Sequence, residues 1–315
     1  MENLTNEIQN EVNRVILGKG DVVRKVLLAI LAGGHVLLED VPGVGKTTMA
    51  MAFAGVLGLD TRRVQFTSDT LPSDIVGFSV YDSRSGALQY QSGAVMTNLL
   101  LADEINRTSS KTQSALLEAM EERQVTVDGV TRPLPRPFVV LATQNPVGSA
   151  GTQMLPTAQL DRFLIQLHMG YPDVRSQILL MKERHHADPL KTCRPVTDVK
   201  MLEKLCEEAM NTYVADSVYT YIAELAEATR NTPDVTLGLS PRGALALCRA
   251  AKANAYLNGC DYVTPDDVAA VLQEVAGHRL VLSTKARVHE RTVQQVLQEI
   301  LTQVKRPDVR ELKLK

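Results

Sequence analysis

The chain has 315 residues, 44% of them hydrophobic and 22% charged, a composition that fits a globular protein and excludes a disordered or low-complexity one. A formal net charge of −2 gives no overall basic field, so a sequence-independent grip on nucleic acid is not the default expectation, although a local basic patch stays open. No apolar run reaches membrane-spanning length and the opening MENLTNEIQN lacks the apolar centre of a secretory signal, so the expected compartment is the cytoplasm.

In chain order, Ile8, Val12, Val15 and Ile16 recur at helical spacing and predict an amphipathic first helix; Val22 to Ala32 predicts a second, closed by Gly33-Gly34. Short apolar runs then alternate with helical stretches: HVLLE (35–39), RVQFT (63–67), NLLLA (98–102), FVVLAT (138–143) and FLIQLHM (163–169). Near-continuous apolar runs of this length suit strands covered on both faces. The expected fold is α/β: a three-layer αβα domain with a five-stranded parallel sheet over residues 1–172. Two stretches interrupt the alternation. Residues 71–95 are long, rich in Ser and Gly, and carry Phe78 and Tyr81; QVTVDGVTRPL (124–134) reads as two strands around Asp128-Gly129, a two-residue turn signal.

Past Tyr171-Pro172 the strand signals fade. Met201, Leu202, Leu205 and Ala209 form one helical stripe, and Val218, Ile222 and Leu225 another. Ser240-Pro241 opens a helix that Gly259 closes, and Thr264-Pro265-Asp266-Asp267 opens the next, each with an N-cap and a proline in the first turn. Residues 173–315 are therefore expected to form a smaller, all-helical domain. The four cysteines, Cys193, Cys206, Cys248 and Cys260, lack C-x-x-C spacing and are expected to be buried free thiols.

The chemistry concentrates in LLEDVPGVGKTT (37–48). A phosphate-binding loop needs small residues near its lysine, so that backbone N–H groups converge on anionic oxygens, and Gly43 and Gly45 supply them between a predicted strand and a predicted helix. Lys46 would bring a point charge to the β and γ phosphates, and Thr47 a hydroxyl ligand to Mg2+; Pro42, Val44 and Thr48 complete the loop. The strict pattern asks for glycine where Asp40 stands, but this position starts the turn and lies farthest from the phosphates. About sixty residues on, NLLLADEINR places Asp103 and Glu104 at the end of a buried strand. That pair suits Mg2+-dependent phosphoryl transfer, with Asp103 toward the metal and Glu104 orienting or deprotonating water.

EDVPGVGKT and ADEINR closely resemble the nucleotide motifs of the MoxR family of AAA+ ATPases, in the helix-2-insert clade, where Asp commonly replaces the first glycine. The resemblance continues through FTSDTLPSDIVG, KTQSALLEAMEERQVTVDG, LATQNPVGSAGT, LPTAQLDRFL and LSPRG, covering nearly the whole chain. It implies a P-loop NTPase domain followed by a helical lid, with ATP and Mg2+ as cofactors. It also implies a homo-oligomer, in the family a hexameric ring. Asn145 would be sensor 1, holding the water beside Glu104, where the residues alone read as an Asn-Pro turn. Arg162 would be an arginine finger acting in trans on a neighbour's γ-phosphate, where the sequence alone allows a surface arginine paired with Asp161. Arg242 would be sensor 2, folded onto the same subunit's nucleotide, or else a solvated side chain. Ile16, Leu17 and Gly18 occupy the place where relatives contact adenine. Residues 71–95 resemble the helix-2 insert, and 124–134 the hairpin before sensor 1.

The family's activity would be ATP-driven remodelling or maturation of client proteins, among them proteins with von Willebrand factor A domains. Two alternatives stand beside it: a nucleic-acid motor or loader, disfavoured by the near-neutral charge and the acidic tip at Asp128, and a non-hydrolysing switch, disfavoured by Glu104, Asn145 and Arg162.

Overall fold

The structure, a computed structural model, describes residues 2–41, 43–145, 154–183 and 189–308. Helix α1 (Glu2–Val15) buries Ile8, Val12 and Val15, and α2 (Gly20–Leu31) buries seven apolar side chains before Gly33, at φ 61°, turns the chain into strand β1 (Val36–Glu39). Helix α3 (Lys46–Leu57) leads to β2 (Thr61–Gln65), and α4 (Pro72–Val76) to an antiparallel hairpin, β3 (Gly77–Asp82) and β4 (Ala87–Ser92). Next come β5 (Leu99–Asp103), α5 (Ser110–Glu122), a second hairpin of β6 (Gln124–Val127) and β7 (Val130–Pro133), and β8 (Val139–Gln144). Helix α6 (Thr157–Leu160) and β9 (Ile165–Leu167) complete this part.

Strands β1, β2, β5, β8 and β9 form one sheet in the order β2-β5-β8-β1-β9, every pair parallel. Side chains alternate across it. Val36, Leu38, Leu99, Leu101, Val139 and Leu141 enter a core shared with α1, α2 and α3, while Leu37, Leu100, Ala102, Val140 and Ala142 enter a second core against α5. This is why the central strands read as continuous apolar runs. The edge strand β2 lies two residues earlier than RVQFT suggests, because Thr61–Gln65 is the stretch in register with Leu99–Asp103, and Phe66 then turns down into the second core.

After α7 (Val174–Glu183) come α8 (Val199–Met210), α9 (Asp216–Asn231), β10 (Val235–Leu237), α10 (Pro241–Leu257), α11 (Pro265–Ala276), β11 (Val281–Leu282), α12 (Thr284–Val288) and α13 (Val293–Gln303). Ser240 accepts a hydrogen bond from Gly243 N, and Thr264 with Asp267 forms a reciprocal capping box, so both helix starts lie where the sequence puts them. One amendment is needed to the all-helical expectation: β10 and β11 pair as a short antiparallel ribbon. Helix α2 packs on α8 and α10, so the first core runs on into the helical region. The four cysteines are free, and each is half-buried rather than fully buried. Among the described residues no helix is long and apolar enough to cross a membrane.

Both hairpins project from this frame. Phe78 and Tyr81 are 48% and 65% exposed. Asp128 and Gly129, at φ 52° and 75°, make the expected two-residue turn. Arg132 does not reach outward; its guanidinium lies 4.0 Å from the centre of the Tyr90 ring and joins the hairpins to each other.

Phe53 anchors α3 in the first core with no exposed surface. Phe53→Ala is expected to cost about 3–5 kcal/mol, read as a lower midpoint in urea or guanidinium unfolding.

Candidate functional site

Because the strands are parallel, the carboxyl ends of β1, β5 and β8 lie side by side. Asp40, Asp103 and Asn145 follow or end these strands, and the open edge of an α/β sheet gathers them. Gly43 and Gly45 take φ of 86° and 98°, a region that side chains enter only under strain, and Gly45 is the residue before the first turn of α3. Thus Lys46, Thr47 and Thr48 stand on the helix N-terminus that faces the loop. Val44 packs partly on the core. Pro42 falls outside the described residues.

Lys46 is buried, and its ammonium donates to the carbonyls of Asp40 at 2.6 Å and Gln144 at 3.5 Å, across the mouth of the loop. Burial pushes its pKa down, and the surrounding carboxylates of Asp40, Asp103, Glu104 and Glu39 oppose the shift. Asp40 itself accepts from the backbone N–H groups of Val41 and Gly170. A glycine could not tie the loop to the β9–α7 connection in this way, which gives the departure from the strict pattern a structural role.

Asp103 is the hub of the acidic pair. Its Oδ1 accepts from Thr143 Oγ1 at 2.6 Å, and its Oδ2 from Thr47 Oγ1 at 3.3 Å and Arg63 Nη2 at 2.8 Å. Glu104 sits in the left-handed region at φ 57°, and its N–H donates to Thr143 Oγ1 at 2.8 Å. That conformation turns its carboxylate away from the strand, where Oε1 accepts from Asn145 Nδ2 at 3.1 Å and Oε2 from Arg107 Nη1 at 2.7 Å. The Arg107 hydrogen bond, helped by Asn145, outweighs burial and holds the Glu104 carboxyl below its ordinary range, so it is ionised at neutral pH. Asn106 in turn donates from Nδ2 to the Asn145 carbonyl at 3.1 Å.

Lys46, Thr47, Asp103, Glu104 and Asn145 therefore meet in one place. Sequence reasoning missed Thr143, Arg107, Asn106 and Arg63. Thr143 lies on β8 and Asn145 two residues on, just past its end, and Arg107 is three residues after Glu104, so both were within reach of spacing rules. Arg63 arrives through strand register alone.

Of Ile16, Leu17 and Gly18, Ile16 is buried in the first core and Gly18 lies against the segment after β9. A side chain on Gly18 would meet Ser176, Lys19 donates to the Tyr171 carbonyl, and Gly170 contacts Asp40. Gly18 and Lys19 are thus connected to the loop through the segment that follows β9.

Arg162 and Arg242 do not join this group. Arg162 precedes β9, at the amino end of the strands, and its Nε lies 3.2 Å from Glu121 Oε2 at the end of α5. Arg242, on the first turn of α10, reaches the other oxygen of the same carboxylate. The sheet from His35 to Asp40, about 17 Å of strand at ~3.3 Å per residue, separates them from the loop. The expectation that Arg242 folds onto this chain's own loop is corrected accordingly. Nor does Arg162 pair with Asp161, whose carboxylate accepts from Arg279 Nε at 2.7 Å and Ser240 Oγ at 3.0 Å. Asp161 is thereby the anchor between the sheet and the helical region.

Residues 35–165 match the ATPase family associated with various cellular activities (AAA), and residues 227–300 match the AAA lid domain. The YeaC protein of Bacillus subtilis is 48% identical over 296 residues, spanning 94% of this chain and 92% of that one. Chaperone MoxR1 of Mycobacterium tuberculosis is 39% identical over 308 residues, 95% of this chain and 81% of its own. A crystal structure of a Cytophaga hutchinsonii protein superposes with a TM-score of 0.91 at 37% identity, over 98% of this chain and 96% of that one.

Thr143 is wholly buried and serves two partners at once. Thr143→Val keeps its shape but leaves the Glu104 N–H and one Asp103 oxygen without it. The expected loss is about 1–3 kcal/mol in denaturant unfolding without nucleotide.

Proposed function

The chain belongs to the MoxR family of AAA+ ATPases, and from that premise we propose that it hydrolyses ATP at an interface between copies of itself and uses the cycle to remodel partner proteins. The observation that carries this reading is the division of the machinery: Lys46, Asp103, Glu104 and Asn145 on one edge of the sheet, Arg162 and Arg242 on the other. A head-to-tail neighbour would bring the second set to the first, as a closed ring requires.

In this reading the loop N–H groups and Lys46 hold the β and γ phosphates. Thr47 and Asp103 offer oxygen donors that suit Mg2+, and Asp103 would exchange the Arg63 guanidinium for the ion. The bound ion would supply neutralisation of phosphate charge. Glu104, ionised and fixed by Asn145, orients the attacking water. Arg162 in trans stabilises the charge that develops on the γ-phosphate. Arg242 joins it from the same side, which makes the helical region respond to the neighbour's nucleotide rather than to its own.

Remodelling of clients follows from the family, and the projecting hairpins with Phe78 and Tyr81 are the surfaces that would meet a client. A von Willebrand factor A domain protein is a client of the kind the family implies, in the cytoplasm, with a hexamer as the assembly. The nucleic-acid reading loses support because Arg132 is engaged with Tyr90, leaving Asp128 at the hairpin tip. Arg107 and Asn145 hold Glu104 in a form suited to hydrolysis, which disfavours the silent switch.

Glu104→Gln is expected to bind ATP normally and lose about 10²–10⁴-fold in turnover, measured by phosphate release beside equilibrium nucleotide binding. Arg162→Ala is expected to lose about 10³-fold or more with binding and fold intact. Mixing Lys46→Ala with Arg162→Ala subunits should restore part of the activity; no recovery in confirmed mixed assemblies would rule out catalysis in trans. Because Arg107 lowers the Glu104 pKa, Arg107→Ala should move the acid limb of the pH–turnover profile to higher pH.

A further inference from the structure

At the amino edge of the sheet a cavity of about 420 Å³ is lined by five arginines against two carboxylates, Glu121 and Asp161. Asp161 is consumed by Arg279. Arg123 and Arg249 donate only to carbonyl groups, of Gly33 and Phe138 and of Ala32, and among the described residues neither has a carboxylate partner. Both are partly desolvated, and Arg123 is pushed down to about 10 by burial and by the neighbouring Arg249 and Arg136. The cavity therefore carries uncompensated positive charge behind its rim.

Among the described residues lining the cavity, Glu121 is the carboxylate left for that rim, and its two oxygens face two arginines from different parts of the fold. Oε1 meets Arg242 of α10, and Oε2 meets Arg162 before β9. Arg162 Nε is close enough for an ion pair but has no hydrogen-bond partner, so charge rather than a directed bond holds it there. A carboxylate that presents one oxygen to each of two guanidinium groups has the shape and charge of part of a phosphate.

We propose that Glu121 is an internal stand-in for the neighbour's terminal phosphate: it occupies Arg162 and Arg242 in the free subunit and is displaced when an ATP-loaded neighbour docks. This rests on the reading of Arg162 as acting in trans. Glu121 is a positioning residue that sets how much nucleotide-dependent attraction the interface must supply before the two arginines change partners. It also separates ATP from ADP, because only the γ-phosphate reaches the rim and can replace it.

The test is sedimentation velocity over a range of protein concentrations, on the full chain and on Glu121→Gln, with Mg2+ and either a slowly hydrolysed ATP analogue or ADP. Glutamine keeps the size and removes the charge at a partly exposed position, and thermal unfolding checks that the variant is folded. With the ATP analogue, half-maximal association of Glu121→Gln should need roughly two- to fivefold less protein, the scale of a partly exposed ion pair. With ADP the two proteins should coincide. No shift with the analogue, a shift in the opposite direction, or an equal shift with both nucleotides would overturn the proposal, the last because a general change of surface charge ignores the γ-phosphate. The two readings fail differently. A wild-type chain that associates with the analogue but never releases phosphate refutes hydrolysis and leaves the stand-in role measurable; a chain that binds the analogue and never associates refutes both.

Discussion

One constraint organises the molecule: five strands run the same way, so all their carboxyl ends fall on one edge and all their amino ends on the other. A group that directly follows one strand and a group that directly precedes another are therefore held at opposite ends of the sheet. Asp40, Asp103 and Asn145 are of the first kind, and Arg162 is of the second. The glycine loop with Lys46 at the first edge and the cationic side chains at the second lie apart within one copy, and it is from this separation that catalysis between copies is proposed.

At the carboxyl edge the electrostatics are built from inside the sheet. Thr143 contributes no charge, yet its hydroxyl donates to Asp103 and accepts from the Glu104 backbone, fixing two adjacent carboxylates that would otherwise repel. Arg63 and Arg107 then divide them, one cation for each acid. The division separates roles: Asp103 keeps its oxygens toward Thr47, and Glu104 keeps its own toward Asn145. Lys46, Asp103, Thr143 and Asn145 are buried, which strengthens the contacts among these groups relative to water.

At the amino edge charge is distributed differently. Arg279 is almost wholly buried and spends its donors on Asp161 and on the carbonyls of Phe163, Leu164 and Val275, so it fastens the helical region to the sheet. Arg162 and Arg242 remain partly exposed on the same ledge and share a single carboxylate. Arg279 is spent on structure while Arg162 and Arg242 keep part of their surface exposed, and it is burial, not residue type, that tells them apart.

The sequence alone determined the αβα sheet with its five strands, the helix starts at Ser240 and Thr264, the phosphate loop and the acidic pair, since each depends on local periodicity, capping or turn chemistry that a short window contains. Its errors have the same origin. The strand at RVQFT shifted by two residues because register with β5 fixed it, and Arg63 entered the site by that register. A short β ribbon formed inside the helical region between segments more than forty residues apart. The position of Arg242 was decided only by tertiary structure, which sets the start of α10 beside Glu121 at the end of α5, a contact across 121 residues of chain; a helix's apolar stripe is legible in its own residues, but which distant side chain it meets is not.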